Sequence, residues 1–352
     1  MKQRALQRFE STIHSDQTRK NYKRHLDYFR KFFKITDYDS ILSIPTNKAQ
    51  EMVEDYLVHL KNTKPSNSAT ASIWGIKHFF VMNRIKLDWE IIRKMLPQRE
   101  VKSGYKAWTT EHIQKLLYYS KTKRNRALIH FLASTGGRIG VFDHDLKMKH
   151  LSDVGHGCKK VVFYSSFKDE YFSFLIPEAL SALQEYHEER KRDGEIFDDE
   201  TPIFRLSYQL GSRLAKQMNS GCAQKITDRI VKSSGIQRKK IGYASEIQIN
   251  HGFRKRFSTI LKMTGVNWSI AEKLIGHKTG LDSTYFKPSV EECFTEFRKA
   301  ISELSIDDSI RYEEKIKNKD EKIKKFETDS VRRITNLEMM ISEIAKRLEA
   351  KS

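Results

Sequence analysis

Apolar residues recur at helical spacing through the first hundred positions. In "TRKNYKRHLDYFRKFF", Tyr22, Leu26, Phe29 and Phe33 stand at i, i+4, i+7 and i+11, with Arg19, Lys20, Lys23, Arg24, Arg30 and Lys31 on the other faces. A second amphipathic stretch, "NKAQEMVEDYLVHLKN", places Met52, Val53, Tyr56, Leu57 and Leu60 on one side. A third begins near Asn67 and carries Ile73, Ile76, Phe79 and Phe80, and a short helix is expected around Asp88–Leu96. These faces read as core. "PQREVKSGYKAW" then loses the periodicity and gathers Pro, Gly, Ser and cations, which marks a linker.

The pattern changes beyond the linker. "TTEHIQKLLYYS" opens with half of a capping box, since His rather than Glu follows Thr109 by three. "RNRALIHFLASTG" predicts a helix ended by Gly136 and Gly137. In "KKVVFYSSFKDEYFSFLIP", β-branched and aromatic runs flank "FKDE", which predicts a hairpin. Helices are expected again at Glu178–Arg192, around Gly211–Gly221, at Ala223–Ser233 and over 251–265. "NWSIAEKLIGH" is a shorter helix stopped by Gly276, and "VEECFTEFRKAISEL" is one more. The fold class that follows is mainly α with a small antiparallel β element, α+β.

In the tail, Ile334, Leu337, Ile341, Ile344 and Leu348 are spaced 3, 4, 3, 4, as in a coiled-coil seam. Extended backward, that register puts Ile323 and Ile316 at d but Glu327, Asp320 and Glu313 at a. About two heptads are good, fewer than the ~3–4 that define a coiled coil. Self-association and a solvated or back-folded helix both remain open.

Charge narrows the partner. The 352 residues hold 65 Lys+Arg against 45 Asp+Glu, a net +20. Residues 1–100 carry 19 basic and 11 acidic side chains, residues 101–305 carry 34 and 23, and residues 306–352 carry 12 and 11. Two segments therefore share the attraction for a polyanion, and the tail does not. The amino-terminal "MKQRALQRFE" has no apolar signal core, and no stretch nears the ~18 apolar residues of a membrane span. Nucleic acid is thus favoured over membrane. Cys158, Cys222 and Cys293 are scattered, odd in number and outside CxxC spacing, which implies neither a disulfide framework nor zinc and suits a cytoplasmic, nucleoid-associated protein.

Three chemical signals lie close together near the end. "HGFR" puts His251 and Arg254 on one helical face. "LIGH" places His277 at a helix end, and Tyr285 follows eight residues later in polar sequence. Such groups suit phosphoryl transfer to a tyrosine oxygen. The phenol, with pKa near ~10, needs help losing its proton, and the phosphodiester needs a fork of N–H donors as charge builds. Upstream, Arg138 follows a glycine pair and Lys168 occupies the hairpin tip. Taken singly each has a bland reading: a surface pair, an inert loop tyrosine, a capping arginine, an ordinary tip lysine.

Their order in the chain resembles the tyrosine recombinase (phage integrase) family. The motifs are "STGGRIG", "FKDEYF", "HGFRKRFSTILKMTG", "LIGHKTG" and "STYFKP", covering about residues 105–305. The run "GHKTGLDSTYFKPSVEECFTEFRKAISEL" looks especially like archaeal members, including those of mobile elements. The resemblance implies that Arg138 and Arg254 clamp the scissile phosphate. It implies that His251 accepts the tyrosine proton, or shares it in a network, and that His277 donates to a phosphate oxygen or orients the nucleophile. Lys168 would protonate the leaving 5′ oxygen, and Tyr285 would be the nucleophile. Many relatives carry an acid three residues after the first arginine. Here that position is Val141, with Asp143 and Asp145 out of step. The interval from His277 to Tyr285 is also one residue shorter than in many bacterial relatives, which bears on delivery within a subunit or to a neighbour.

The expected organisation is a helical core-binding domain over 1–97, a linker over 98–108, a catalytic domain over 109–305 and a helical tail over 306–352. The expected activity is site-specific cutting and rejoining of double-stranded DNA through a 3′-phosphotyrosyl link, for integration or excision of a mobile element. It would involve self-association on DNA as a tetrameric synapse of dimers, with no cofactor, metal, membrane or small-molecule substrate. The alternatives are strand relaxation of the type IB topoisomerase kind and a DNA-binding protein whose site has decayed.

Overall fold

The computed structural model describes residues 4–98, 105–207, 216–241, 244–277 and 285–349. It divides into two compact units, Met1–Lys102 and Ser103–Ser352. The first is all helical: α1 (Arg4–Ser11), α2 (Asp16–Phe32), α3 (Asp39–Leu42), α4 (Thr46–Thr63), α5 (Ser66–Met82) and α6 (Trp89–Met95). The apolar stripes read from the sequence meet in its core, where Leu26, Phe29, Val53, Leu57, Ile73, Ile76 and Phe79 are fully buried. Ser15 caps α2 through the Thr18 amide, and Asp88 caps α6 through Glu90 and Ile91. Helix α1 was not expected from the sequence. Ala5, Leu6 and Phe9 give it only two apolar turns, and tertiary bonds hold it: Asp39 accepts from the Ala5 amide (2.8 Å) and Asn83 donates to the Ala5 carbonyl (3.1 Å).

The second unit is mainly α around a small antiparallel sheet, as the sequence implies. It comprises α7 (Thr110–Tyr118), α8 (Lys123–Thr135), β1 (Leu151–Gly155), β2 (Cys158–Phe163), β3 (Tyr171–Leu175), α9 (Pro177–Arg192) and α10 (Ser220–Ser234). After a two-residue ladder, β4 (Lys240–Ile241) with β5 (Ala244–Ser245), come α11 (Ile249–Met263), α12 (Trp268–Leu274), α13 (Val290–Arg298), α14 (Ile301–Leu304) and α15 (Asp308–Glu349). The hairpin β2–β3 runs in register from Lys159 opposite Leu175 to Phe163 opposite Tyr171. Strand β1, with its largely exposed face, adds a third member that periodicity did not reveal. Helix α8 is the central post. Every residue from Ala127 to Thr135 is buried, and Gly136 ends it in the left-handed region (φ 58°) with the Phe257 ring packed against it.

Several local readings are refined. His112 completes the capping box at Thr109, each side chain meeting the other's backbone amide. The last predicted helix breaks at Lys299–Ala300 into α13 and α14. Of the linker, 99–104 lies outside the described residues. The part nearest the second unit is anchored: the Lys106 amide donates to the Glu246 carbonyl, and Trp108 is 1% exposed and donates to the Ile249 carbonyl (2.7 Å). Of the helix expected around Gly211–Gly221, 211–215 lies outside the described residues, 216–219 is not helical, with Gln217 bridged antiparallel to Arg205, and Ser220 and Gly221 open α10. Among the described residues no helix is long and apolar enough to cross a membrane.

Candidate active site

Two turns of the second unit create the site. The first ends α8 at Gly136 and delivers Arg138 immediately afterwards. The second ends α12 at Leu274–Ile275 and passes through Gly276, whose φ of 65° suits a residue without a side chain. A Cβ at Gly276 would lie 2.5 Å from the Tyr171 ring, so the hairpin strand β3 presses directly on this turn. Helix α11 runs beside both turns and carries His251 and Arg254 one turn apart.

The arginines fasten the two turns together. Arg138 Nη2 donates to the Gly276 carbonyl (2.8 Å). Arg254, 7% exposed, donates from Nη1 to the Gly136 carbonyl (3.1 Å) and from Nη2 to the Ile275 carbonyl. Each guanidinium keeps further N–H donors for a ligand, because its fork is only partly used. Tyr171 supports the pair: the Arg138 guanidinium lies 5.5 Å from its ring centre, and its hydroxyl accepts from the Arg138 amide (3.4 Å). Burial, then the field of Arg138, lowers the Arg254 pKa. His251 is held below the ordinary imidazole range by burial, followed by Arg254, Lys255 and Arg138. An imidazole that stays neutral beside two cations is a proton acceptor.

His277 is oriented by a carboxylate. Its Nδ1 lies 2.6 Å from Glu272 Oε2, while Glu272 Oε1 accepts from Lys262 Nζ (2.6 Å). Glu272 is 6% exposed. Burial alone would raise its pKa, but the bonds from Lys262 and His277 outweigh burial and the net direction is down. With Nδ1 occupied, Nε2 is left for another partner. The sequence reading missed Glu272; the signal available was an acid five residues before the histidine, across a helix end, in "NWSIAEKLIGH". It also missed Tyr171, although that residue lies inside the quoted "FKDEYF".

The structure therefore brings Arg138, Arg254, His251 and His277 to one pair of turns. Lys168 and Tyr285 are displayed instead: Lys168 on the exposed β2–β3 loop, and Tyr285 82% exposed at the start of the described segment after residues 278–284. Val141 is buried in the core, Asp143 accepts from the Ser220 amide (2.9 Å) and hydroxyl (2.6 Å), and Asp145 pairs with Lys147. None of the three supports Arg138. A groove of about 770 Å³ opens beside His251, lined by Gln224, Lys232, Arg238, Gln248 and Asn250 among others. Among the described residues no three His, Cys, Asp or Glu side chains gather as a metal site.

The model of the phage integrase family matches residues 106–284, half of the chain. No curated protein matches the sequence. Solved structures share the fold at low identity. A lambda integrase dimer bound to a COC′ core site is 15% identical with a TM-score of 0.54, over 81% of this chain and 95% of that one. A lambda integrase tetramer bound to a Holliday junction is 17% identical with a TM-score of 0.51, over 81% and 79%. The XerH site-specific recombinase bound to its difH substrate, in a pre-cleavage complex, is 17% identical with a TM-score of 0.50, over 76% and 75%.

Proposed function

Because this chain belongs to the phage integrase family, we propose that the six residues Arg138, Lys168, His251, Arg254, His277 and Tyr285 make one active site that closes on a DNA phosphodiester. The protein is a tyrosine-type site-specific recombinase. Tyr285 Oη attacks phosphorus and gives its proton to His251, and a bond from phosphorus to the tyrosine oxygen forms. The bond from phosphorus to the 5′ oxygen breaks, and Lys168 protonates that oxygen. The products are a 3′-phosphotyrosyl link and a free 5′-hydroxyl. Arg138 and Arg254 stabilise the charge on the non-bridging oxygens, and His277, steadied by Glu272, turns its Nε2 to a phosphate oxygen or to the nucleophile. A 5′-hydroxyl from a partner duplex reverses the step and releases Tyr285. One phosphodiester-type bond is exchanged for another throughout, so the strand is rejoined without an external energy source.

The observation that carries this reading is the fastening of both guanidiniums onto backbone carbonyls of the two turns, which fixes a fork for a tetrahedral anion. Both basic segments bind the duplex, the first unit as a helical core-binding domain. Dimers on two sites pair as a tetramer for strand exchange, and the work is integration or excision of a mobile element in a nucleoid-associated setting. The test is a nicked suicide substrate carrying the cognate site, with a covalent adduct expected from the wild type and none from Tyr285→Phe. A wild type that forms no adduct on its own attachment sequence would end the enzymatic reading of these residues.

A further inference from the structure

Helix α15 is 42 residues long and leaves one apolar stripe uncovered. Tyr312, Ile316, Ile323, Phe326, Ile334, Leu337 and Ile341 are each more than half exposed. At ~100° per residue these seven positions fall within an arc of about 80°. Val331, Met339 and Met340, also exposed, lie outside it. A single heptad register does not describe the stripe, because extending it backward from Ile334 runs into Glu327. One four-residue insertion does. Tyr312, Ile316, Lys319, Ile323, Phe326 and Ser330 step by 4, 3, 4, 3, 4; Ile334 follows after a further 4, and Leu337 and Ile341 continue by 3 and 4. This is a stutter, and it turns the two heptads at the end into a seam along most of the helix. Its mean step of about 3.6 residues equals that of a straight helix, so the stripe runs on without drifting round.

The flanking charges say what covers it. The residues just after the d positions Tyr312, Lys319, Phe326 and Leu337 are Glu313, Asp320, Glu327 and Glu338, all acidic. The residues just before the a positions include Lys315 and Arg333, with Asp329 at the stutter. In a parallel, in-register pair these flanks meet as Arg333 with Glu338 of the second copy. An antiparallel pair would set acid against acid and base against base. The tail is also nearly neutral, 12 basic against 11 acidic residues, whereas the rest of the chain carries the basic surplus, so DNA is not the occupant its charge selects. We propose that α15 forms a parallel two-stranded coiled coil with α15 of a second copy of this chain. Lys319 and Ser330 are polar interruptions; the lysine stem can lie along the seam with its ammonium in water.

The helix is bolted to the catalytic unit at its root. The Ile306 amide donates to Glu178 Oε2 (2.7 Å), Gln114 donates to the Ile306 carbonyl (2.9 Å), buried Arg256 holds the carbonyls of Glu303 and Leu304, and Lys315 pairs with Glu303 (2.8 Å). Pairing of two tails therefore constrains two catalytic units without DNA.

Analytical ultracentrifugation of the full chain without DNA tests this. Wild type is expected at twice the 41.4 kDa chain mass. Ile323→Asp with Leu337→Asp, both at exposed positions, should weaken dimerisation at least ~100-fold by burying charge in the seam. Glu338→Arg should weaken it ~10-fold, and adding Arg333→Glu should restore it. In a Cys222→Ser background, Leu337→Cys should oxidise to a 337–337 dimer. A wild type that is monomeric at all concentrations, a dimer indifferent to the two aspartates, or failure of the 337 cross-link in a persisting dimer would each overturn the proposal.

Discussion

Gly276→Ala is the sharpest perturbation the site offers. Gly276 has φ 65°, and an alanine there costs ~1–2 kcal/mol for the left-handed region alone. Its Cβ would also meet Cδ1 and Cγ of Tyr171 at 2.5 and 2.6 Å, closer than side-chain contacts allow. Overpacking of this kind costs ~1–3 kcal/mol, so the sum is about 2–5 kcal/mol. Gly235 supplies the control: it has φ 65° with nothing within 4 Å of the position a Cβ would take, so Gly235→Ala should cost only the ~1–2 kcal/mol of backbone strain. The difference between the two variants, read from urea midpoints of the full chain, isolates the contact with Tyr171. Chemistry should suffer more than stability. The Gly276 carbonyl holds Arg138, the neighbouring Ile275 carbonyl holds Arg254, and the ring pushed aside lies beside Arg138. A misplacement near 1 Å is worth ~100-fold in rate, so adduct formation on a suicide substrate should fall by about that factor in Gly276→Ala and stay near wild type in Gly235→Ala. Tyr171→Ala should relieve the stability cost in a double-mutant cycle. If the two glycine variants lose equal stability and equal rate, the ring does not lock the turn and the reasoning fails.

Three further outcomes can be checked. Glu272→Gln keeps the shape of the Lys262–Glu272–His277 chain but removes its charge. With Lys262 and His277 both well exposed, solvent screening limits the stability cost to ~1 kcal/mol, while adduct formation should fall ~10-fold with a displaced pH profile; an unshifted profile would assign Glu272 a purely structural place. His130 and His187 are pushed from the ordinary 6.5 to about 4, chiefly by burial. The unfolded chain therefore binds protons in that window that the folded chain refuses, so stability should be complete above pH 6.5 and decline as pH falls toward 4; a urea midpoint that stays level over this range would contradict it. Affinity for the cognate duplex should fall steeply with salt, by roughly −0.9 in log–log slope per neutralised phosphate, and a nearly flat dependence would contradict binding by both basic segments.

What the sequence made legible follows the reach of its physical signals. Helices α2, α4, α5 and α6 and the β2–β3 hairpin were readable because each buries one face whose period is written in the chain, as Leu26 and Phe29 or Val161 and Phe163 show. Helix α1 and strand β1 were not, because two apolar turns and a mostly exposed strand carry too little period and depend on partners such as Asn83 and β2. Among chemical groups, residue type and chain order sufficed to select Arg138, His251, Arg254 and His277, which the fold gathers on two turns. Glu272 and Tyr171 escaped because their work depends on a helix end and on a strand passing beneath a glycine. The tail seam was half legible: a strict heptad stops at Glu327, and only a continuous helix shows that the stripe resumes one insertion earlier.

The division between fixed and displayed groups has an electrostatic cause. Arg138 lies close enough to Arg254 that its field, after burial, disfavours the Arg254 charge, and among the described residues no carboxylate pairs with either arginine. Among the described residues, backbone carbonyls together with Tyr171 compensate the two cations, and such dipoles offset less than an anion does at the same distance. The two turns thus hold incompletely neutralised positive charge, which the proposed phosphodiester substrate would relieve on arrival. Tyr285, by contrast, is mostly exposed, and in the proposed mechanism it acts only against a phosphorus atom already held in that fork. Under the proposed mechanism, an anion trap on buried turns and a nucleophile at the surface would make bound DNA itself the last component of the site and tie the attack to a duplex that has already been seized.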